Sequence, residues 1–311
     1  MIKSFEELIE HAQRMENKTH IAVAFAHDYH TLEAISEARK KGIAEAYLIG
    51  DGCKIIDILK ELSEDPENYT IIECNDINES VAVAARLVNE GKAGAIMKGK
   101  MQTGEIMRGV LNRDNGLRTD RTLSVTGIFE TSGYHKMFAI TDVAITPHPD
   151  LTAKKAILLN ALDLLHALGL AEPKVAAIAA AETVNPKLQE TVDAEKLKKM
   201  YLDREITGCI VEGPISLDLA TDKEAVEVKG YVSPVAADAD LFLMPDLVSG
   251  NVFAKCVTGM AGGRTGGIVL GAKVPVILVS RAARAEEKLN AIALATVAAP
   301  YFAELNKQKE N

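Results

Sequence analysis

Short apolar runs alternating with helix-period segments restrict the first hundred residues to few architectures. His20–Ala26 (HIAVAFA) is β-rich and apolar throughout, as a strand covered on both faces must be. Thr31–Lys41 has helical periodicity and stops at Gly42. The pattern repeats. Ala46–Ile49 reads as a strand closed by Gly50-Asp51-Gly52, Cys53–Leu62 as a helix, and Thr70–Glu73 as a strand. Ile77–Asn89 reads as a helix stopped by Gly91, and Ala93–Met97 as a further strand. Such alternation predicts βαβ units and a parallel sheet, an α/β fold.

The centre departs from this rhythm. Thr122–Glu130 and Met137–Ile145 lie close enough for an antiparallel pair, or for two strands crossing between lobes. Thr146-Pro147-His148-Pro149-Asp150 cannot be helical and marks a turn before a helix over Leu151–Leu168. Val175–Ala180 and Cys209–Gly213 read as strands around a helix, Val192–Tyr201. The apolar runs Asp240–Met244, Val252–Val257 and Val274–Val279 follow, and then an Ala-rich helix, Ala285–Ala298, which ends or kinks near Pro300. With 311 residues the chain has material for two lobes. The expected division is residues 1–130 with 284–311, and 131–283.

Composition narrows the function. Apolar residues make up 48% and charged residues 25%, without low-complexity tracts, as in an ordinary globular protein. A net charge of −9 argues against non-specific nucleic-acid binding, which relies on basic faces. The apolar stretches are too short or interrupted to cross a bilayer, and the acid-containing N-terminus MIKSFEELIEHAQ is not a signal peptide. Cys53, Cys74, Cys209 and Cys256 are far apart and form no CxxC pair. A cytoplasmic protein without disulfides or zinc is expected. The histidines form neither HxxxH nor HExxH, so no metal site is expected.

Chemistry concentrates in two stretches. Met97-Lys98-Gly99-Lys100-Met101-Gln102-Thr103-Gly104-Glu105 follows a strand and opens a helix. Glycine lets the backbone approach an anion, helix N–H groups favour negative charge, and Lys98 and Lys100 add positive charge. It is not the phosphate loop GxxxxGK[ST], and a βα turn with solvated lysines explains it equally well. Arg108, Arg113, Arg118 and Arg121 follow, and only as a cluster do they suggest bidentate phosphate recognition. In Leu241–Lys288, one apolar run ends in Pro245-Asp246 and another at Ser280-Arg281, with a glycine-dense segment between them. In an open α/β sheet, ligands bind beyond such carboxyl ends. Glu287, seven residues after Ser280, falls about two turns along if a helix begins near Ser280, and a carboxylate there suggests a general base. A helix cap at Ser280 and a solvated acidic face are the plain alternatives. Asp142 and Asp150 are unpaired by spacing, and no GxSxG elbow is present.

Taken together, MKGKMQTGEIMRGVLNRDNGLRT, the segment Phe242-Leu243-Met244-Pro245-Asp246-Leu247-Val248-Ser249-Gly250-Asn251, and the glycine-rich run leading to PVILVSR resemble the phosphate acetyl/butyryltransferase family, most closely its shorter butyryl branch. The resemblance implies a two-lobed α/β/α sandwich similar to the isocitrate/isopropylmalate dehydrogenase fold, with the active site in the interlobe cleft. It also implies reversible transfer of a short acyl group between CoA and inorganic phosphate by a homodimer or higher homo-oligomer. No cofactor is bound permanently, and CoA is a substrate. The implied catalytic residues are Ser280, Arg281 and Glu287, the last an aspartate in acetyl-transferring members. Lys98, Lys100, Thr103, Arg118, Asp246, Asn251, Gly262 and Gly263 are the implied CoA- and phosphate-binding positions. Competing readings are an acetyl-specific enzyme, a metal- and NAD-dependent decarboxylating dehydrogenase of the same fold, and a CoA-binding protein without turnover. The dehydrogenase needs clustered aspartates that the sequence does not show.

Overall fold

The computed structural model describes residues 2–278 and 283–310. In chain order the elements begin α1 (Phe5–Arg14), β1 (His20–Ala24), α2 (Tyr29–Lys40), β2 (Glu45–Gly50), α3 (Gly52–Glu61), β3 (Thr70–Glu73), α4 (Ile77–Asn89), β4 (Ala95–Lys98) and α5 (Thr103–Leu111). They continue β5 (Ser124–Glu130), β6 (Phe138–Thr141), α6 (Leu151–Ala167), β7 (Lys174–Ile178), α7 (Gln189–Leu202), β8 (Ile210–Ile215), α8 (Leu217–Thr221) and α9 (Lys223–Lys229). Last come β9 (Leu241–Leu243), α10 (Leu247–Gly259), β10 (Arg264–Leu270), β11 (Val276–Ile277) and α11 (Ala285–Glu310). Among the described residues, no helix is long and apolar enough to cross a membrane.

Two compact units emerge: 5–120 with 266–311, and 121–265 with the residues up to Ser4. The chain thus changes unit after Asp120 and Thr265, where the sequence suggested 130 and 283. The shifts follow strand pairing, because β5 hydrogen-bonds to β6 inside the second unit while β11 joins β4 inside the first.

In the first unit β3, β2, β1, β4 and β11 lie side by side and parallel, with β10 antiparallel to β11. Ile21 to Ala24 of β1 are fully buried, which explains the unbroken apolar run. Helix α11 packs on α1 and α2 and continues through Pro300 to Glu310, so of the two expectations, an end or a kink, it does not end there. Proline has no N–H for the carbonyl four residues earlier, that of Thr296. The Thr19 hydroxyl supplies the missing donor, at 3.2 Å from Thr296 O.

Glu64, 6% exposed, holds this unit's periphery together. Its carboxylate accepts from Ser36 Oγ at 2.9 Å and Tyr69 OH at 3.0 Å and pairs with Lys40 at 2.6 Å and Arg39 at 3.2 Å. Burial pushes its pKa up, but the hydrogen bonds from Lys40, Ser36, Tyr69 and Arg39 prevail and hold it at about 2. The folded value lies below the unfolded one, so the stabilisation is complete above pH 4.5 and disappears as pH falls through about 2. Glu64→Gln should therefore cost about 3 kcal/mol in urea unfolding at pH 7. The gap from wild type should narrow below pH 4.5. A constant gap down to pH 2.5 would show that the carboxylate charge is not responsible.

The second unit's sheet runs β5-β6-β9-β7-β8, antiparallel between β5 and β6 and parallel beyond. The pair expected across 122–145 is therefore antiparallel, but β6 stops at Thr141 rather than Ile145. Its core is aromatic: Phe138 meets Phe242 edge-on at 5.3 Å, and Tyr134 meets Phe138 at 5.4 Å. Val252–Val257 lies within helix α10 and is not a separate apolar strand. Asp246 accepts from Ser249 N at 2.9 Å and caps that helix, while Gly250, Ala254 and Val257 form its buried side at helical spacing. The glycine-dense segment contains β10, which the sequence pattern does not reveal.

Candidate active site

In the first unit, the register pairs Ala24 of β1 with Lys98 of β4 and Met97 of β4 with Ile277 of β11. The turn after β4 and the chain after β11 consequently leave adjacent carboxyl ends of one parallel sheet, where ligands bind. Ser280 and Arg281, just beyond β11, lie outside the described residues. Helix α11 starts at Ala285, so Glu287 stands in its first turn, half-buried, and not two turns along.

Close packing builds the lysine turn. Gly99 N donates to Ala24 O at 2.9 Å, and Lys100 N donates to Phe25 O at 2.8 Å. Lys98 Nζ donates to the carbonyls of Gly99 at 3.3 Å and Met101 at 3.1 Å, so this ammonium shapes the turn itself. Lys100 is exposed, as is Thr103 at the start of α5. The Glu105 carboxylate already accepts from Gln102 N at 2.6 Å there, which lowers the pull of that helix end on an anion. Arg118 is exposed beside a bridge to Ala272, fixed where Lys273 N donates to Leu117 O at 2.8 Å. Arg121 belongs to the second unit and bonds Asp163 and Asn160 on α6.

His27, which belongs to no spacing motif, lies just beyond β1, 8% exposed. Its Nδ1 accepts from Asp51 N at 3.4 Å. Burial first, then the charges of Lys100 and Lys54, lower its pKa from the ordinary histidine value.

The second unit holds the remaining positions. Asn251 is exposed and donates from Nδ2 to Val143 O at 3.0 Å, so its amide fixes a loop. Gly263 N donates to Val257 O at 2.8 Å, and a methyl group on Gly263 would stand 2.7 Å from Val257 Cγ1, which gives this glycine a packing role. Gly262 has φ +62° with open space around it and makes the left-handed turn. An apolar hollow lined by Ile2, Phe138, Leu165 and Leu168 lies toward the amino ends of β6 and β9, away from Asp246.

Sequence reasoning missed Asp142. It is 3% exposed, and its carboxylate accepts four backbone N–H groups: Val125 at 3.0 Å, Ala144 at 3.0 Å, Ile145 at 3.3 Å and Thr146 at 2.7 Å. The available signal was an acid inside an apolar run, the place where the strand ends.

The family model described as Phosphate acetyl/butaryl transferase matches residues 72–296. The chain is 42% identical over 299 residues to phosphate butyryltransferase of Clostridium acetobutylicum, covering 96% of this chain and 99% of that protein. Among solved structures it resembles a branched-chain phosphotransacylase from Enterococcus faecalis V583, with 29% identity and a TM-score of 0.80 over 90% of this chain and 99% of that one. A 4-hydroxythreonine-4-phosphate dehydrogenase from Burkholderia phymatum shares the fold alone, with 13% identity and a TM-score of 0.55 over 91% and 99%. By the family model and by near full-length identity, this chain belongs to the phosphate acetyl/butyryltransferase family.

Proposed function

We propose that this enzyme transfers a short acyl group, butyryl by preference, reversibly between CoA and inorganic phosphate. The supporting observation is the near full-length match to a butyryltransferase. The parallel register that sets the lysine turn beside the chain leading to Ser280-Arg281 agrees with it. The enzyme works in the cytoplasm as a homodimer, on CoA as substrate and without a resident cofactor.

In the acyl phosphate-to-CoA direction, Glu287 accepts the thiol proton and Ser280 orients the sulfur. The thiolate attacks the acyl carbonyl, forming the C–S bond, and the C–O bond to phosphate breaks with its electron pair leaving on phosphate. Arg281 neutralises that departing charge, with Lys100 and Arg118 as further cations for the anionic substrates. In reverse, phosphate oxygen attacks the thioester and Glu287 returns the proton to sulfur. Asp246–Asn251 and Gly262-Gly263 contribute to CoA binding.

The test is acyl-CoA plus phosphate with release of free thiol followed by a disulfide dye, from C2 to C6. We expect kcat/KM to peak at C4 and to fall about tenfold per methylene removed. A peak at C2 would make the enzyme acetyl-specific. CoA binding without thiol release at any length would sink the catalytic reading.

A further inference from the structure

We propose that Asp142 is a positioning residue for acyl-CoA binding: its carboxylate fixes the turn 142–146, and that turn seats the Asp246–Asn251 segment at the start of α10. The proposal rests on the reading of Asp246–Asn251 as a substrate-binding segment. Every group involved belongs to the second unit.

A carboxylate suits this place for a specific reason. Asp142 Oδ1 gathers the N–H groups of Val125, Ala144 and Ile145, and Oδ2 takes that of Thr146. An ionised carboxylate is acceptor-only on both oxygens, so it can collect N–H groups from both sides of a turn. A buried charge persists only when such donors surround it. These bonds tie the chain after β6 to β5.

Helix α10 is built directly on that chain. A methyl group on Gly250 would stand 2.2 Å from Asp142 O, so the helix backbone approaches the turn as closely as only glycine permits. Asn251 Nδ2 donates to Val143 O at 3.0 Å, and Leu247 N donates to Pro147 O at 3.2 Å. On the strand side, Met244 N donates to Thr141 O at 2.8 Å. The Pro245-Asp246-Leu247-Val248-Ser249-Gly250-Asn251 segment therefore has its position set from a single buried carboxylate.

Asp142→Asn keeps one acceptor oxygen but turns an NH2 group toward a backbone N–H. Displacements of about 1 Å at a binding segment can cost a hundredfold, so the variant should raise KM for butyryl-CoA about tenfold with kcat within about threefold. A purely structural role would lower the melting temperature and the active fraction while leaving KM in place. Asn251→Asp breaks the same seat from its exposed side, keeps the fold, and should raise the same KM. The double variant should show less than the product of the two effects, because both act through one seat.

Folded Asp142→Asn with wild-type KM, or effects of the two changes that multiply independently, would overturn the proposal. If Asp142→Asn does not fold, Asp142→Glu, which keeps a carboxylate one methylene longer, takes its place and should raise the same KM. Wild-type KM in Asn251→Asp removes both the binding role of the segment and this proposal. Raised KM in Asn251→Asp with unchanged KM in folded Asp142→Asn removes the proposal and leaves the binding role standing.

Discussion

Replacing Glu287 by glutamine should lower kcat at least about a hundredfold while leaving KM for acyl-CoA and phosphate close to wild type. Glutamine keeps the length and volume of glutamate but cannot take the thiol proton. The loss falls on the step in which sulfur becomes a nucleophile and not on binding. Position adds to the argument: Glu287 is half-buried in the first turn of α11. Purified Glu287→Gln should melt as wild type does. Glu287→Asp should keep measurable turnover, since it retains a carboxylate that can take the proton. Full rate in Glu287→Gln would move the base elsewhere, and His27, the neutral-leaning imidazole at the end of β1, would be the next group to substitute.

The sheet of the first unit was legible because β1, β2 and β4 are largely buried apolar runs and the helices α2 and α4 are followed by Gly42 and Gly91. Glycine hid β10. Within Arg264–Leu270, Gly266 and Gly267 remove the side-chain alternation by which strands are read, although Gly266 is needed there because a methyl group would stand 2.9 Å from Asn290 C and Cβ. Helix α10 was obscured for the opposite reason, since its apolar run Val252–Val257 mimics a strand. The Pro245-Asp246 start with Ser249 three residues on was a helix signal in plain view. Pro300 misled because the donor that compensates for it, Thr19, lies near the other end of the sequence.

The candidate site was legible mainly through resemblance. Spacing alone left Ser280, Arg281 and Glu287 open between a general-base site and a capped helix with a solvated face. Asp142 could not be found by spacing to another side chain, because its partners are backbone N–H groups with no sequence signature. Arg121 was equally opaque, because its partners Asn160 and Asp163 lie about forty residues further along the chain.

Gly99→Ala should be the most damaging single-methyl change in the lysine turn. A β-carbon at Gly99 would stand 2.2 Å from Phe25 O, 2.7 Å from Phe25 C and 2.8 Å from Ala24 O, all backbone atoms. No side-chain rotation relieves such contacts, so the end of β1 and the turn after β4 must separate. Phe25 has little room to yield, because its φ of +55° already places a non-glycine residue in the left-handed region. Overpacking a well-packed site costs about 1–3 kcal/mol, and backbone overlap should put Gly99→Ala at or above the upper end in urea unfolding. Separation also strains the bonds from Gly99 N to Ala24 O and from Lys100 N to Phe25 O, which set where the lysines stand. At temperatures well below unfolding, kcat/KM with phosphate should fall about a hundredfold, as expected for a shift near 1 Å. Gly104→Ala is the matched comparison. It lies in the first turn of α5 with nothing within 4 Å of an added β-carbon, and it should raise stability by about 0.5–1 kcal/mol. Equal stability in Gly99→Ala and wild type would mean that the β1–β4 junction relaxes freely, and the lysine turn could then not be held by backbone contact with β1.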